Sequence, residues 1–102
     1  MSPTQLSKRE LEKQGYLVEI TERWNAFARK RKDLFDFIDL LAIKENEILG
    51  IQTTSASNIS ARVNKILEHE NFKLVQASGI KVVVHGWKKN NSNRWEVKIK
   101  EM

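Results

Sequence analysis

The chain contains no cysteine, which excludes disulfides and thiolate metal sites and leaves the redox compartment open. It has no long apolar run of the kind that makes a signal peptide or a membrane helix, so no membrane association is expected. No internal repeat or low-complexity tract interrupts it. What is present is 102 residues at 40% apolar composition, enough for a single domain, 1–102, built on little more than one core. Lysine and arginine number 18 against 13 aspartate and glutamate, a formal charge of +5. That balance favours a polyanionic partner.

The most organised stretch is Asp36 to Ile43 followed by Ile48 to Thr54. It reads as two strands joined by the polar residues Lys44, Glu45, Asn46 and Glu47, a length that suits an antiparallel hairpin. If Ile43 pairs with Ile48, then Leu41 faces Gly50, Asp39 faces Gln52 and Phe37 faces Thr54. Side chains alternate along a strand, so Asp39, Gln52 and Thr54 are expected on one side. A carboxylate inside an apolar strand costs free energy unless a partner holds it. The hairpin therefore predicts a small polar site on an apolar scaffold.

The remaining elements surround this hairpin. Ser2 and Pro3 are suited to cap and start a helix that runs to Gln14 and stops at Gly15, with Leu6 and Leu11 as its contact stripe. Tyr16 to Trp24 reads as one strand, with Val18, Ile20, Glu22 and Trp24 on one face and Leu17, Glu19, Thr21 and Arg23 on the other. Arg29, Lys30, Arg31 and Lys32 crowd like charges together and predict an exposed loop or a short helical turn. Ser55 to Asn58 offers polar caps for a second helix from Ile59 to Glu70, with Ile59, Val63, Ile66 and Leu67 as its apolar stripe and Arg62, Lys65 and His69 as a basic edge. Asn71 to Gly79 reads as irregular chain or one helical turn. Ile80 to Trp87 is a β-branched strand, and Arg94 to Lys100 is a charged edge strand with Trp95, Val97 and Ile99 facing inward. The expectation is an α/β fold with a mixed central sheet flanked by helices, in the order αβββαββ.

With Glu10 on the first helix, Asp39 on one strand and Gln52-Thr53-Thr54 on the next, this pattern resembles the PD-(D/E)XK nuclease superfamily. It is closest to small Holliday-junction resolvase-like and phage nuclease-like members. In that superfamily an early helix supplies a glutamate, a strand an aspartate, and the next strand Glu or Gln, one residue, then Lys. The resemblance covers nearly the whole chain, since the element order also agrees. It departs at two places: Gln52 takes the Glu position, and Thr54 stands where the lysine is expected. Lys32 or Lys65 is available as the missing cation.

The resemblance implies a metal-dependent endodeoxyribonuclease acting on structured or branched DNA in recombination, repair or phage replication. Its catalytic residues would be Glu10, Asp39, Gln52 and Thr54. Mg²⁺ or Mn²⁺ would take Asp39, Gln52 and the Thr53 carbonyl as oxygen ligands. Plainer readings stand beside these: Glu10 as a solvated helix-face residue, Gln52 as a sheet hydrogen-bonding group, and Asp33 as a partner for nearby cations or a support for the site. Of Glu19 and Glu22, at most one points at the site from a regular strand. Phosphate contacts are expected from Arg29, Lys30, Arg31 and Lys32 and from Asn58, Arg62 and Lys65 near a helix start. His85 is read as structural, and Trp24, Trp87 and Trp95 as packing residues. A homodimer would supply two sites for paired cuts. Cytoplasmic or nucleoid-associated placement follows, in a host or phage setting alike. Two other functions fit the same residues: a DNA-binding protein that kept the scaffold but lost efficient cleavage, and a structural subunit that binds an acidic protein.

Overall fold

A computed structural model describes all residues, 1–102. Helix α1, Pro3–Lys13, opens the chain; Ser2 Oγ accepts from the Gln5 N–H, and Pro3 occupies the first turn, where a missing N–H costs nothing. The helix stops where expected, because Gly15 takes a φ of +93° that side chains disfavour. Strands β1 (Leu17–Ile20), β2 (Arg23–Asn25), β3 (Lys30–Lys32), β4 (Leu40–Lys44) and β5 (Glu47–Ser55) follow. A short 3₁₀ turn, Ala56–Asn58, leads into α2, Ile59–Glu68, and α3, Phe72–Ala77; β6 (Ile80–Lys89) and β7 (Trp95–Glu101) complete the fold.

Five strands form a mixed sheet in the order β1-β4-β5-β6-β7, antiparallel except for the parallel pair β5 and β6. The α2–α3 segment makes the crossover that a parallel pair requires. The expected α/β architecture holds, with helices on both faces. On one face Leu11 of α1 packs with Val18, Leu40, Ala42, Leu49, Ile51 and Val83. On the other, Ile66 of α2 and Phe72 and Val75 of α3 pack with Phe37, Ile38, Val82 and Val84.

Several local expectations are corrected. Tyr16 to Trp24 is not one strand: the chain leaves the sheet after Ile20, and β2 pairs with β3 in a separate two-stranded ribbon. The cationic run is therefore partly strand, registered Arg23 to Lys32, Trp24 to Arg31 and Asn25 to Lys30. Its like charges are spread by alternation over two faces, and Arg31 pairs with Glu22. Trp24, expected to pack, is 64% exposed on this ribbon, whereas Trp87 is buried and Trp95 and Ile99 are only partly covered at the β7 edge. The hairpin turn is tighter than the four polar residues suggest, since Lys44 pairs with Glu47 and Asn46 takes a φ of +61°. Asp36 to Ile38 lie in a turn before β4, closed by the Ile38 N–H donating to the Leu34 carbonyl at 2.9 Å, so Phe37 does not face Thr54 across a ladder. Phe72 and Val75 stabilise α3 by burial, extending the stretch read as irregular chain or one helical turn into a six-residue helix.

Candidate functional site

Asp39 stands one residue before β4. Its N–H donates to the Ile51 carbonyl and its own carbonyl accepts from the Thr21 N–H, both at 2.8 Å. The backbone is thus clamped between β5 and the exit of β1. Its Oδ2 accepts from Gln52 Nε2 at 2.6 Å, from the Thr53 N–H at 2.8 Å and from Thr53 Oγ1 at 3.1 Å. Asp39 is 4% exposed, and three donors on one oxygen offset the desolvation of that buried carboxylate. Thr53 Oγ1 also lies 2.9 Å from Thr4 Oγ1, tying the start of α1 to the site. The Asp39–Gln52 contact across the hairpin is the one expected from its register, which runs Leu40 to Ile51 and Ile43 to Ile48.

Two further carboxylates come from the ribbon. Glu22 immediately precedes β2 and Asp33 immediately follows β3, so the Arg23–Lys32 pairing brings them together at the ribbon's root. One oxygen from each of Glu22, Asp33 and Asp39 lies within 4.8 Å of the others. Burial pushes the Asp33 carboxyl up to about 7, helped by its hydrogen bond with Asp39, by the Asp39 charge and by the Glu22 charge; the Arg62 guanidinium opposes the rise. Asp33 opens onto a cleft of about 590 Å³ that Arg23, Lys32, Glu19 and Asp36 also line.

Oxygen donors of this kind fit a hard divalent cation. Three carboxylates converge and the neutral amide of Gln52 stands beside them. Thr53 engages Asp39 through its N–H and hydroxyl.

The other expected site residues divide. Glu10 does not join the carboxylates: it accepts from Gln14 Nε2 at 3.3 Å and lines a separate small cleft with Arg9, Lys13, Trp87 and Trp95. Thr54 is buried but is not among the partners of Asp39. Arg29, Lys30, Arg31 and Lys32 are all exposed on the ribbon. Asn58, exposed just before α2, precedes Arg62 and Lys65 by four and seven residues, so the three lie along one side of the helix start. Arg62 is the member whose charge reaches the carboxylates; of Lys32 and Lys65, Lys32 lines the cleft that holds Asp33.

A second polar group lay outside the sequence reading. Ser7, fully buried on α1, accepts from Trp87 Nε1 at 2.8 Å and lies 2.9 Å from His85 Nδ1. Since the indole N–H can only donate, the Ser7 hydroxyl hydrogen is free to point at His85. Burial pushes the His85 imidazole down to about 4, against the raising effect of the Glu10 charge. This network pins α1 to β6 and leaves His85 a structural residue. A serine on an apolar helix face three residues before Glu10 was the only available hint. No protein-family model and no curated protein matches this chain.

Proposed function

We propose that the protein is a metal-dependent endodeoxyribonuclease that hydrolyses phosphodiesters in branched or structured DNA. The observation that carries this reading is the convergence of Glu22, Asp33 and Asp39, with Gln52 hydrogen-bonded to Asp39, at the root of an exposed basic ribbon. Asp39 and Asp33 would hold Mg²⁺ or Mn²⁺, with Glu22 and the Gln52 amide oxygen completing the donor set. A bound cation of this type polarises a phosphodiester and lowers the pKa of a bound water. The chain's own groups do the rest. Gln52 and Thr53 fix the Asp39 carboxylate, while Lys32 and Arg23 stand on the cleft where a phosphate would lie. Arg62 brings a cation to the carboxylates in the absence of lysine at Thr54. Asn58 and Lys65 extend that positive edge for further phosphate contacts. A homodimer would present two such sites for paired cuts.

Thr54 supports a second reading, a DNA-binding protein on the same scaffold with weakened cleavage, because threonine carries no charge. Incubating purified protein with branched and fully paired DNAs, with Mg²⁺, with Mn²⁺ and with chelator, separates the two. Metal-dependent strand scission of at least one branched DNA is the expected result. Intact DNA throughout, with binding retained, selects the second reading. Thr54→Lys raises the rate if the buried pocket around residue 54 accepts the longer chain.

A further inference from the structure

The ribbon β2–β3 does nothing for either hydrophobic core: none of Leu11, Val18, Ile38, Ile66 or Val84 has a core partner on it. It projects instead from the carboxylate cluster, with Glu22 and Asp33 at its base. Alternation puts Arg23, Asn25, Lys30 and Lys32 on one side, and Arg23 and Lys32 line the cleft above Asp33. The opposite side carries Trp24 and Arg31, the latter held by Glu22. At the tip Phe27 is fully exposed between Ala26 and Ala28, with Arg29 beside it in a left-handed conformation. Asn25 Oδ1 accepts from the Phe27 N–H at 3.0 Å and the Ala28 N–H at 3.1 Å, so the tip is shaped and not a loose end. Burying a phenylalanine side chain is favourable, and within the monomer that burial is left unused.

We propose that this ribbon reads branched DNA by stacking Phe27 on unpaired bases at the branch while Arg23, Lys30 and Lys32 hold the strand that leads to the carboxylates. The idea deepens the nuclease reading and rests on it for the placement of the scissile strand. A two-stranded ribbon is narrow enough to enter a DNA groove, and an aromatic face stacks on any base irrespective of sequence. The cations decide the occupant: an aromatic tip on a ribbon with four cations in its strands and one in its turn complements a polyanion carrying exposed bases. Three strand residues, Arg23–Asn25, carry the chain from Glu22 to the turn that holds Phe27, a reach of roughly 10 Å at about 3.4 Å per strand residue. That spans about three base steps at roughly 3.4 Å each, so the ring would meet the branch a few nucleotides from the cut.

The test is fluorescence anisotropy in chelator, with a three-way junction carrying unpaired bases at its branch and a fully paired duplex of equal length. Wild type is expected to prefer the junction. Phe27→Ala should weaken junction binding about 10-fold or more, the range of one lost base–aromatic stack, and leave duplex binding unchanged. Phe27→Trp should restore the preference. Arg23→Ala with Lys32→Ala should weaken both DNAs and lower the slope of log K against log salt by about 2, since each phosphate contact contributes roughly 0.9. Equal affinities of wild type and Phe27→Ala for the junction would overturn the proposal. So would a wild-type dimer that Phe27→Ala converts to monomer in sedimentation, or binding to anionic vesicles in preference to DNA. Because binding is read without metal, the nuclease reading fails separately: a junction preference that depends on Phe27 with no cleavage in Mn²⁺ removes the enzyme and keeps the ribbon's role.

Discussion

Asp39 and His85 are both buried polar residues on an apolar sheet, and their surroundings treat them oppositely. Asp39 collects three donors on one oxygen; His85 meets one serine hydroxyl and is held neutral by burial. The imidazole, pushed down to about 4 from 6.5, makes the unfolded chain the better proton acceptor between those values. Stability is therefore complete above pH 6.5 and falls as pH drops toward 4, by roughly 3 kcal/mol if the whole shift is expressed. The Glu10 charge opposes the fall in the imidazole pKa, and the value of about 4 already includes it. Asp33 has the opposite sign: its raised value favours the protonated folded form as pH falls from about 7 to 3.8. Urea midpoints between pH 8 and 4 in an Asp33→Asn background should show the His85 fall alone, and a flat profile there would contradict it. Ser7→Ala should cost about 1–3 kcal/mol, because it strands both the Trp87 indole N–H and His85 Nδ1; chemical denaturation measures it. Of these residues, Asp39 was legible as a carboxylate misplaced in an apolar strand. Ser7 was not, since a buried serine is revealed only by the two partners that lie 78 and 80 residues away.

At the scale of elements, the hairpin β4–β5 shows what periodicity can specify. Its register followed from the short polar connector that pairs Ile43 with Ile48, and the Asp39–Gln52 contact followed from the register. The ribbon β2–β3 was hidden for the complementary reason. Its strands are three residues each, lack an apolar face, and are organised by Asn25 and the Arg31–Glu22 pair, none of which leaves a period to detect. That omission also left Glu22 and Asp33 as candidates without a fixed place at the site, because only the folded ribbon brings them together. Glycine at position 86 has an equally physical basis. A β-carbon there would lie 2.4 Å from Ile59 Cδ1 and 2.9 Å from the Ala56 backbone, where the 3₁₀ turn crosses β6. Gly86→Ala should destabilise by about 1–3 kcal/mol or more and lower the melting temperature, since backbone on one side of the contact cannot yield. An unchanged melting temperature would show that the α2 start can move off the sheet.

The whole molecule places its two kinds of charge in register. Carboxylates gather at the start of β4, and cations spread along the ribbon above and along the start of α2 beside them. No helix is long and apolar enough to cross a membrane. The αβββαββ plan survives in the main sheet because each of its strands or helices carries its own hydrophobic pattern; α3 and the ribbon are additions that tertiary packing and local hydrogen bonds create. Replacing Arg29, Lys30 and Lys32 by alanine, with Arg31 kept for Glu22, should weaken DNA binding about 10-fold or more at low salt and reduce its salt dependence while the far-ultraviolet spectrum is unchanged. The central claim is that the carboxylates around Asp39 form a hydrolytic metal site. Its most direct test is the single-turnover cleavage rate of Asp39→Asn against wild type, at saturating branched DNA with Mn²⁺. Asparagine keeps the size and one oxygen but removes the charge, so the rate should fall by about 100-fold or more with DNA affinity retained. Cleavage at the wild-type rate in Asp39→Asn would contradict the site.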